Sequence, residues 1–383
     1  MGDRLVPIIS GRSWVTALGD GIEPVMDRLV HGDTGIAPSR RVDAAGLRND
    51  RCGEVALSFP DEPRARLRAL TARVVADALG DAGLDSGSLD PDCVIVIGTS
   101  FGNVFHNEAG PVALDEVLSE ALRDLGIVRE PIVLSAACSS STEALGFAYD
   151  LISLGHCDSQ VIAVGVDVID RYKMAGHSSL STMSPDVCRP FDAEANGTVL
   201  GEGAAAMVLE AAASAERRDA PRRGCLAGVS STTDTAGATS PDPDGVGAVR
   251  VLLQALASAG RGPAEVAYVN AHGSGTPVND AMEVKAFRQV FGGAGSLVSS
   301  TKSAFGHTLG ATGIMEAIVA LESLRRGIAP PTVGLSRAAE EPAGLGLVMG
   351  KGRAMRPDAP CAMSVTYGFG GANAAIVLEL GGN

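Results

Sequence analysis

The stretch PIVLSAACSSSTEALGFAYDLISLG, residues 131–155, decides the fold. Its β-branched start predicts a buried strand, its run of small residues predicts a turn, and the remainder predicts a helix that ends at Gly155. A weak echo of this order occurs in SLVSSTKSAFGHTLGATGIMEAIVALESLRRG, residues 296–327. Each copy places a side chain of reactive type, Cys138 or His307, near the beginning of an Ala-rich helix. Two related halves are therefore expected.

The rest of the chain extends this pattern. Apolar runs predict further buried strands at 93–100, 160–167, 204–210 and 374–380. Amphipathic stretches predict helices at 65–83 and 311–326. Strands that alternate with helices predict an α/β fold with a mainly parallel sheet. The charged, Pro-containing stretch 211–223 is the expected junction. It separates an N-terminal half, residues 1–216, from a C-terminal half, residues 217–383.

Charge and composition exclude several classes of function. The chain has 383 residues, 45% of them apolar, and its 31 Lys and Arg against 45 Asp and Glu give a net charge of −14. A nucleic-acid-binding protein needs the opposite balance, so no nucleic acid partner is expected. No apolar run reaches the roughly 18 residues of a membrane span, so no membrane association is expected.

The cysteines point to a reducing compartment. The seven cysteines are an odd number, are scattered, and contain no CxxC pair. This set predicts reduced thiols in a cytoplasmic protein without a disulfide framework. No metal site and no cofactor are expected.

Three residues stand where catalytic side chains are expected. Cys138 lies between a strand and a helix, and the N–H groups at a helix N-terminus stabilise a thiolate and lower its pKa. His272 and His307 each lie in a Gly-containing turn after a strand. Cys138 alone is equally explained as a small buried residue, and each histidine alone is better explained by a hydrogen-bonded structural role. Because strand ends in α/β folds converge on one crevice, the three together favour a shared nucleophilic site.

These residues lie in motifs that resemble those of the β-ketoacyl synthases of the thiolase superfamily, over nearly the whole chain. The matching motifs occur in the family's order: ACSSS around Cys138, CRPFDAEANGTVLGEGAA at 188–205, AHGSGTPVND at 271–280, TKSAFGHTLGATG at 301–313 and YGFGGANAAIV at 367–377. The resemblance implies a five-layered α/β/α/β/α fold made of two related halves. It also implies a dimeric acyltransferase that condenses an acyl thioester with a malonyl thioester, in fatty acid or polyketide synthesis.

The resemblance assigns roles to individual residues. Cys138 would accept the acyl group from acyl carrier protein, and His272 and His307 would stabilise the enolate formed as carbon dioxide leaves. Lys302 and Glu316 would orient the histidines, or form a structural ion pair. The backbone N–H groups of Cys138 and Phe369 would form the oxyanion hole. The resemblance also implies substrate contacts from Thr198, Thr276, Phe369 and Gly370.

Three departures from the family pattern concern the substrate. Thr198 stands where many members carry a bulky aromatic beside the acyl pocket, the connection 101–130 is shorter than usual, and residues 9–14 replace an apolar opening. This combination resembles ketosynthases of aryl polyene and type II polyketide systems. It favours a pocket for an extended or rigid acyl group, unless neighbouring residues fill the space.

The sequence leaves alternative functions to be considered. A thiolase is expected to carry a second cysteine in the C-terminal Gly-rich loop, which here reads Tyr367-Gly368-Phe369. A non-catalytic partner of the chain-length-factor type is expected to lack the nucleophile, whereas Cys138 is present. No motif supports a cysteine hydrolase. The assembly is expected to be a homodimer or a heterodimer with a related subunit.

The acidic carrier protein poses an electrostatic question, because the net charge of this chain is also negative. A local basic patch can overcome repulsion, since screening limits its reach to about 10 Å. The candidates are Arg64, Arg66 and Arg68 on the helix predicted near residue 65. The alternative is a solvated helix surface without a function.

Overall fold

The computed structural model describes residues 5–101, 113–339 and 345–381. The strands are β1 (Ile8–Thr16), β2 (Gly19–Asp20), β3 (Ile36–Pro38), β4 (Arg51–Gly53), β5 (Val94–Gly98), β6 (Ile132–Leu134), β7 (Gln160–Asp167), β8 (Gly203–Glu210), β9 (Gly224–Thr233), β10 (Val266–Asn270), β11 (Leu297–Ser299), β12 (Ile328–Ala329), β13 (Gly346–Leu347), β14 (Arg353–Ala354), β15 (Cys361–Tyr367) and β16 (Ala372–Glu379). The α-helices are α1 (Ile22–His31), α2 (Pro63–Asp81), α3 (Glu116–Asp124), α4 (Ser140–Ser153), α5 (Arg171–Ser179), α6 (Ala212–Arg217), α7 (Val246–Ala259), α8 (Pro277–Phe291), α9 (Lys302–Phe305) and α10 (Thr312–Arg326). Within this part of the chain, none of the helices combines the length and apolar composition needed to cross a membrane.

The main strands form two sheets with the same order. The first runs β1-β8-β7-β5-β6, and the second runs β9-β16-β15-β10-β11. A short antiparallel contact joins them, with Ile8 opposite Cys225 and Ile9 opposite Gly224. The repeated order agrees with the echo between the two sequence stretches. The chain therefore builds one strand arrangement twice.

The prediction of a mainly parallel sheet was wrong. In the first sheet β5 pairs in parallel with β6 and β7, but β8 is antiparallel to both β7 and β1. In the second sheet β10 is parallel to β11 and β15, and β16 is antiparallel to both β15 and β9. An apolar run shows that a strand is buried on both faces, but it does not reveal the direction of the neighbouring strand.

Two helices lie between the sheets. Helix α4 packs on β5 and β7 of the first sheet and on β9 and β16 of the second, and α10 likewise contacts strands of both sheets. Every residue of α10 from Thr312 to Ser323 is buried, as expected of a helix covered on all sides. Helix α2 covers the outside of the first sheet with α3 packed beside it, and α7 covers the outside of the second sheet with α8 packed beside it. The result is the five-layered α/β/α/β/α fold that the resemblance implied.

The central helices determine where the site forms. Cys138 lies two residues before α4, and His307 lies five residues before α10. Each central helix begins after a 3₁₀ turn whose first residue has a positive φ, 49° at Ala137 and 50° at Leu309. The stacking of α4 on α10 therefore brings the two predicted catalytic segments together.

Part of one prediction lies outside the described residues. The shortened connection 101–130 includes residues 102–112, which are not described. Its later part contains α3, which packs against α2.

Candidate active site

Cys138 lies in the turn between a short strand and a central helix. The 3₁₀ turn Ala137–Ser139 links β6 to α4, and Ala137 adopts the left-handed conformation that side chains other than glycine rarely adopt. The thiol is 5% exposed and lines a cavity that also contains His272 and His307. The predicted convergence of these three residues is therefore present in the structure.

His307 is held by backbone pairing with the segment before β8. Its N–H donates to Val199 O at 2.7 Å, and its carbonyl accepts from Gly201 N at 2.8 Å. Gly306 has a φ of 79°, and a Cβ atom there would crowd Leu200. The motif at 188–205 thus supplies the support that fixes His307.

The hydrogen bonds of the imidazole define its tautomer. Leu309 N–H donates to Nδ1 at 3.3 Å, and the Thr312 hydroxyl lies 3.3 Å from the same atom. Because Nδ1 is the acceptor, Nε2 carries the proton. Nε2 lies 3.0 Å from Cys138 Sγ. His307 therefore presents an N–H donor to the sulfur and to whatever binds beside it.

His272 faces His307 across the cavity. Their ring centroids are 5.3 Å apart at 86°. The turn that follows β10 is fixed by Glu283, whose carboxylate accepts the N–H groups of His272 at 2.8 Å and of Gly273 at 2.6 Å, and the Asn279 side chain at 2.8 Å. Burial raises the pKa of Glu283 to about 8, against the lowering effect of these donors.

A buried ion pair lies behind the histidines. Lys302 Nζ is 2.6 Å from Glu316 Oε1, and both side chains are buried. Burial raises the pKa of Glu316 to about 7, opposed by Lys302. Burial and the lysine charge both hold the pKa of His272 and of His307 well below the usual value. Both histidines are therefore neutral hydrogen-bond donors at neutral pH.

The prediction of a lowered cysteine pKa was wrong. Burial raises the pKa of Cys138 to about 11, although Lys302 and the backbone N–H of Phe369 pull it down. The pocket removes water from the thiolate, and this cost exceeds the gain from the nearby donors. The resting nucleophile is a thiol.

The Gly-rich turn at 368–371 presents one of its N–H groups to the site. Phe369 N–H forms a hydrogen bond to the Cys138 sulfur, and Phe369 lines the cavity. Gly370, for which the resemblance implied a substrate contact, is not among the residues that line this cavity, and its N–H donates to Ala238 O at 2.8 Å. Its φ of 80° lies in the left-handed region that favours glycine.

Thr198 and Thr276 both line the same cavity. Thr198 is buried and pairs through its backbone with Thr182 and Ser184. Thr276 precedes α8, and its hydroxyl lies 2.8 Å from that of Ser274. Both threonines, for which the resemblance implied substrate contacts, therefore lie in the wall of the cavity that contains Cys138.

The three predicted docking arginines do not share a surface. Arg66 is 2% exposed and forms an ion pair with Glu202 at 2.6 Å, so it has no surface on which a partner could bind. Arg64 and Arg68 remain partly exposed, but they are paired with carboxylates of α3, Glu120 in both cases. The assignment of Arg66 to docking is therefore corrected: side chains two positions apart on a helix point in different directions, so Arg66 does not share the face of Arg64 and Arg68.

Several residues that position the site were missed. Asp167 accepts the N–H groups of Ser100 and Gly310, at 2.9 and 2.7 Å, and pairs with the buried Lys173. This network and Glu283 join segments that are far apart in sequence. The only signal available was a charged side chain within or beside an apolar run, which does not identify its partner.

Comparisons with known proteins agree with this geometry. The family profile described as "Beta-ketoacyl synthase, N-terminal domain" matches residues 7–215, and "Beta-ketoacyl synthase, C-terminal domain" matches residues 223–336. The chain belongs to the β-ketoacyl synthase family. It is therefore an acyltransferase of fatty acid or polyketide synthesis, and the predicted family and fold are confirmed.

Individual β-ketoacyl synthases are similar to this chain along nearly its whole length. "3-oxoacyl-[acyl-carrier-protein] synthase 2" of Synechocystis sp. is 30% identical over 407 residues, 97% of each chain. Two solved structures, "The ishigamide ketosynthase/chain length factor" and a β-ketoacyl synthase from Burkholderia phymatum, have TM-scores of 0.88 and 0.86. Each is 27% identical, with 99% of this chain and 100% of the other covered.

Proposed function

We propose that Cys138, His272 and His307 carry out a decarboxylative Claisen condensation between a Cys-bound acyl group and malonyl-acyl carrier protein. The observation that carries this proposal is the meeting of the thiol, two neutral imidazoles and the Phe369 N–H in one cavity. Lys302 and Glu316 act behind the histidines by keeping them neutral and in place.

Acyl transfer comes first. The sulfur of Cys138 attacks the thioester carbonyl of the acyl carrier protein, and its proton passes to the departing carrier thiolate. The developing oxyanion is stabilised by the backbone N–H groups of Cys138 and Phe369. The raised cysteine pKa makes this step depend on deprotonation within the complex, because only the thiolate is a strong nucleophile.

Condensation follows in the same cavity. The malonyl group loses carbon dioxide, and its thioester oxygen becomes an enolate that accepts hydrogen bonds from the two imidazoles. The enolate carbon attacks the acyl group on Cys138, the carbon–sulfur bond breaks, and the released thiolate takes up one proton from solvent water. The product is a 3-oxoacyl-carrier protein, and neutral histidines suit this work because they donate hydrogen bonds without protonating the carbanion.

The partners follow from the substrates. The name of the Synechocystis relative supports an acyl carrier protein as the donor of both groups. Arg64 and Arg68 are the remaining docking candidates, and a carrier carboxylate would have to compete there with Glu120. The assembly is a homodimer or a heterodimer with a related subunit. Residues 1–216 supply the nucleophile, and residues 217–383 supply the histidine pair.

The test uses intact-protein mass spectrometry. Incubation with octanoyl-loaded acyl carrier protein should add one octanoyl group to the parent protein and none to the Cys138→Ala variant. Adding malonyl-loaded carrier protein should then remove the adduct and release 3-oxodecanoyl-carrier protein. An unmodified parent, or an adduct that persists in Cys138→Ala, overturns the proposal.

A further inference from the structure

The imidazole of His177 lines the cavity, yet the condensation does not use it. His177 lies in the last turn of α5, and its ring stacks on that of Phe369 with 5.7 Å between centroids and 23° between planes. We propose that His177 is a positioning residue, which holds Phe369 and thereby its backbone N–H in the geometry needed for acyl transfer. This inference rests on the proposed function of Cys138.

The turn that carries Phe369 has one side chain through which a neighbouring residue can hold it. Its other three residues, within 368–371, are glycines, so the aromatic ring is the one side chain by which the turn can be held. Backbone hydrogen bonds hold the glycines: the N–H of Gly368 donates to Ala372 O at 2.7 Å, that of Gly370 donates to Ala238 O at 2.8 Å, and Gly371 O accepts from Asp234 N at 2.8 Å. Within the described part of the chain, the ring of Phe369 stacks on the ring of His177.

His177 is itself oriented. The Thr182 hydroxyl donates to the His177 carbonyl at 3.2 Å and lies 3.0 Å from Nδ1, so it accepts a hydrogen bond from an Nδ1–H. Burial lowers the pKa of His177 to about 4, which leaves the ring neutral at neutral pH. A neutral ring fixed at one nitrogen is a planar support for an aromatic partner.

The consequence falls on acyl transfer and not on substrate binding. The Phe369 N–H faces Cys138, where negative charge develops on the attacked carbonyl. A displacement of about 1 Å in such a hydrogen-bond donor is enough to lower the rate of acyl transfer. The stacking of one aromatic pair is worth a several-fold change in that rate. Loss of the stacked ring should slow acylation about tenfold and leave the half-saturating carrier concentration unchanged.

The experiment compares two substitutions of similar size. His177→Phe keeps an aromatic ring, and His177→Leu removes it. His156→Ala, a change at an exposed histidine outside the cavity, is the control. The rate of octanoyl transfer from octanoyl-loaded acyl carrier protein to Cys138 is followed by intact mass over a range of carrier concentrations, and the melting temperature is measured for each variant.

The inference predicts that His177→Leu loses about tenfold in maximal rate while His177→Phe and His156→Ala stay within about twofold of the parent. Equal rates in all four proteins overturn it, and so does an equal loss in His177→Phe and His177→Leu. A loss that appears only as weaker carrier binding also overturns it. If the parent itself is not acylated at Cys138, the proposed function fails first, so the two failures are distinguishable.

Discussion

At the scale of single residues, the 3.0 Å distance between Cys138 Sγ and His307 Nε2 is fixed by backbone. A 3₁₀ turn precedes α4 at the cysteine, and pairing with Val199 and Gly201 holds the histidine from both sides. The side chains therefore have little freedom to separate. In such a site, none of the substrate's binding energy is needed to align the catalytic thiol and imidazole.

The state of the thiol gives the first prediction. Because burial raises the pKa of Cys138 to about 11, the thiolate fraction should rise about tenfold per pH unit through the neutral and mildly alkaline range. Cys138 lines the cavity, so it should also be the first of the seven cysteines alkylated by iodoacetamide. Peptide mapping at several pH values measures both. A rate that levels off near neutral pH, or earlier labelling of Cys157 or Cys188, contradicts this expectation.

The histidines should have separable effects. Acyl transfer needs the thiol and the backbone N–H donors, whereas decarboxylation needs the imidazole donors at the malonyl oxygen. His272→Ala and His307→Ala should each retain at least partial self-acylation and lose condensation by about 10²-fold. Single-turnover assays of the two half-reactions separate these outcomes. If either variant condenses at the parental rate, that histidine has a structural role only.

Thr198 tests the pocket hypothesis. The residue is buried in the cavity wall, and an aromatic side chain there would occupy space in which an acyl chain can lie. Thr198→Phe should therefore lose turnover with long carrier-bound acyl groups and keep it with short ones, because an overfilled wall stops a chain by overlap. Assays across a chain-length series decide this. A uniform loss, or no loss, shows that position 198 does not limit chain length.

At the scale of elements, Lys302 at the start of α9 and Glu316 in α10 join two helices by a buried ion pair. Lys302→Met should reduce the free energy of unfolding by about 3 kcal/mol or more, because it leaves a buried carboxyl without its partner. Glu316 then folds as the neutral acid. Its folded-state pKa lies above its unfolded value, so the remaining stability should fall as pH rises from about 6 to 8.5, more steeply than in the parent.

Urea unfolding at both ends of that pH range measures this effect. The matched control is Lys302→Met combined with Glu316→Gln, which removes the titrating group and should remove the added pH dependence. A single variant that is equally stable at both pH values shows that Glu316 does not titrate in the folded protein.

The elements also show what the sequence could predict. Strand β7 has the predicted bounds, 160–167, and α2 lies within two residues of its prediction, because hydrophobic periodicity and helix ends are local signals. Arg66 was assigned to the surface, yet it lies against Glu202. Whether a helical arginine faces solvent or a carboxylate from a distant segment depends on the packed structure.

At the scale of the whole molecule, two sheets with one strand order enclose the central helices. The sequence echo predicted two related halves, and Cys138, His272 and His307 were predicted to converge on one crevice. The raised cysteine pKa and the roles of Glu283 and Asp167 were not predictable, because burial and the pairing of distant segments arise only when the layers stack. Local patterns thus identify the reactive groups, and tertiary packing determines their chemistry.

The contact between the central helices gives the last prediction. A Cβ atom at Gly313 in α10 would overlap the backbone and hydroxyl of Thr142 in α4. Gly313→Ala must push the helices apart, and since α4 follows Cys138 and α10 follows His307, it should displace the thiol from the imidazole. Overpacking costs about 1–3 kcal/mol of stability, and a shift near 1 Å should lower condensation by about 10²-fold.

Gly146→Ala is the matched control for Gly313→Ala. Gly146 lies in the other central helix, α4, and nothing approaches its Cβ position within 4 Å, so the same substitution should keep activity and add a few tenths to about 1 kcal/mol of stability. Condensation rates and urea unfolding of both variants measure the contrast. If Gly313→Ala folds and condenses at the parental rate, the spacing of the central helices does not set the distance between Cys138 and His307. If only Gly313→Ala loses activity, the packing between the two halves positions the chemistry.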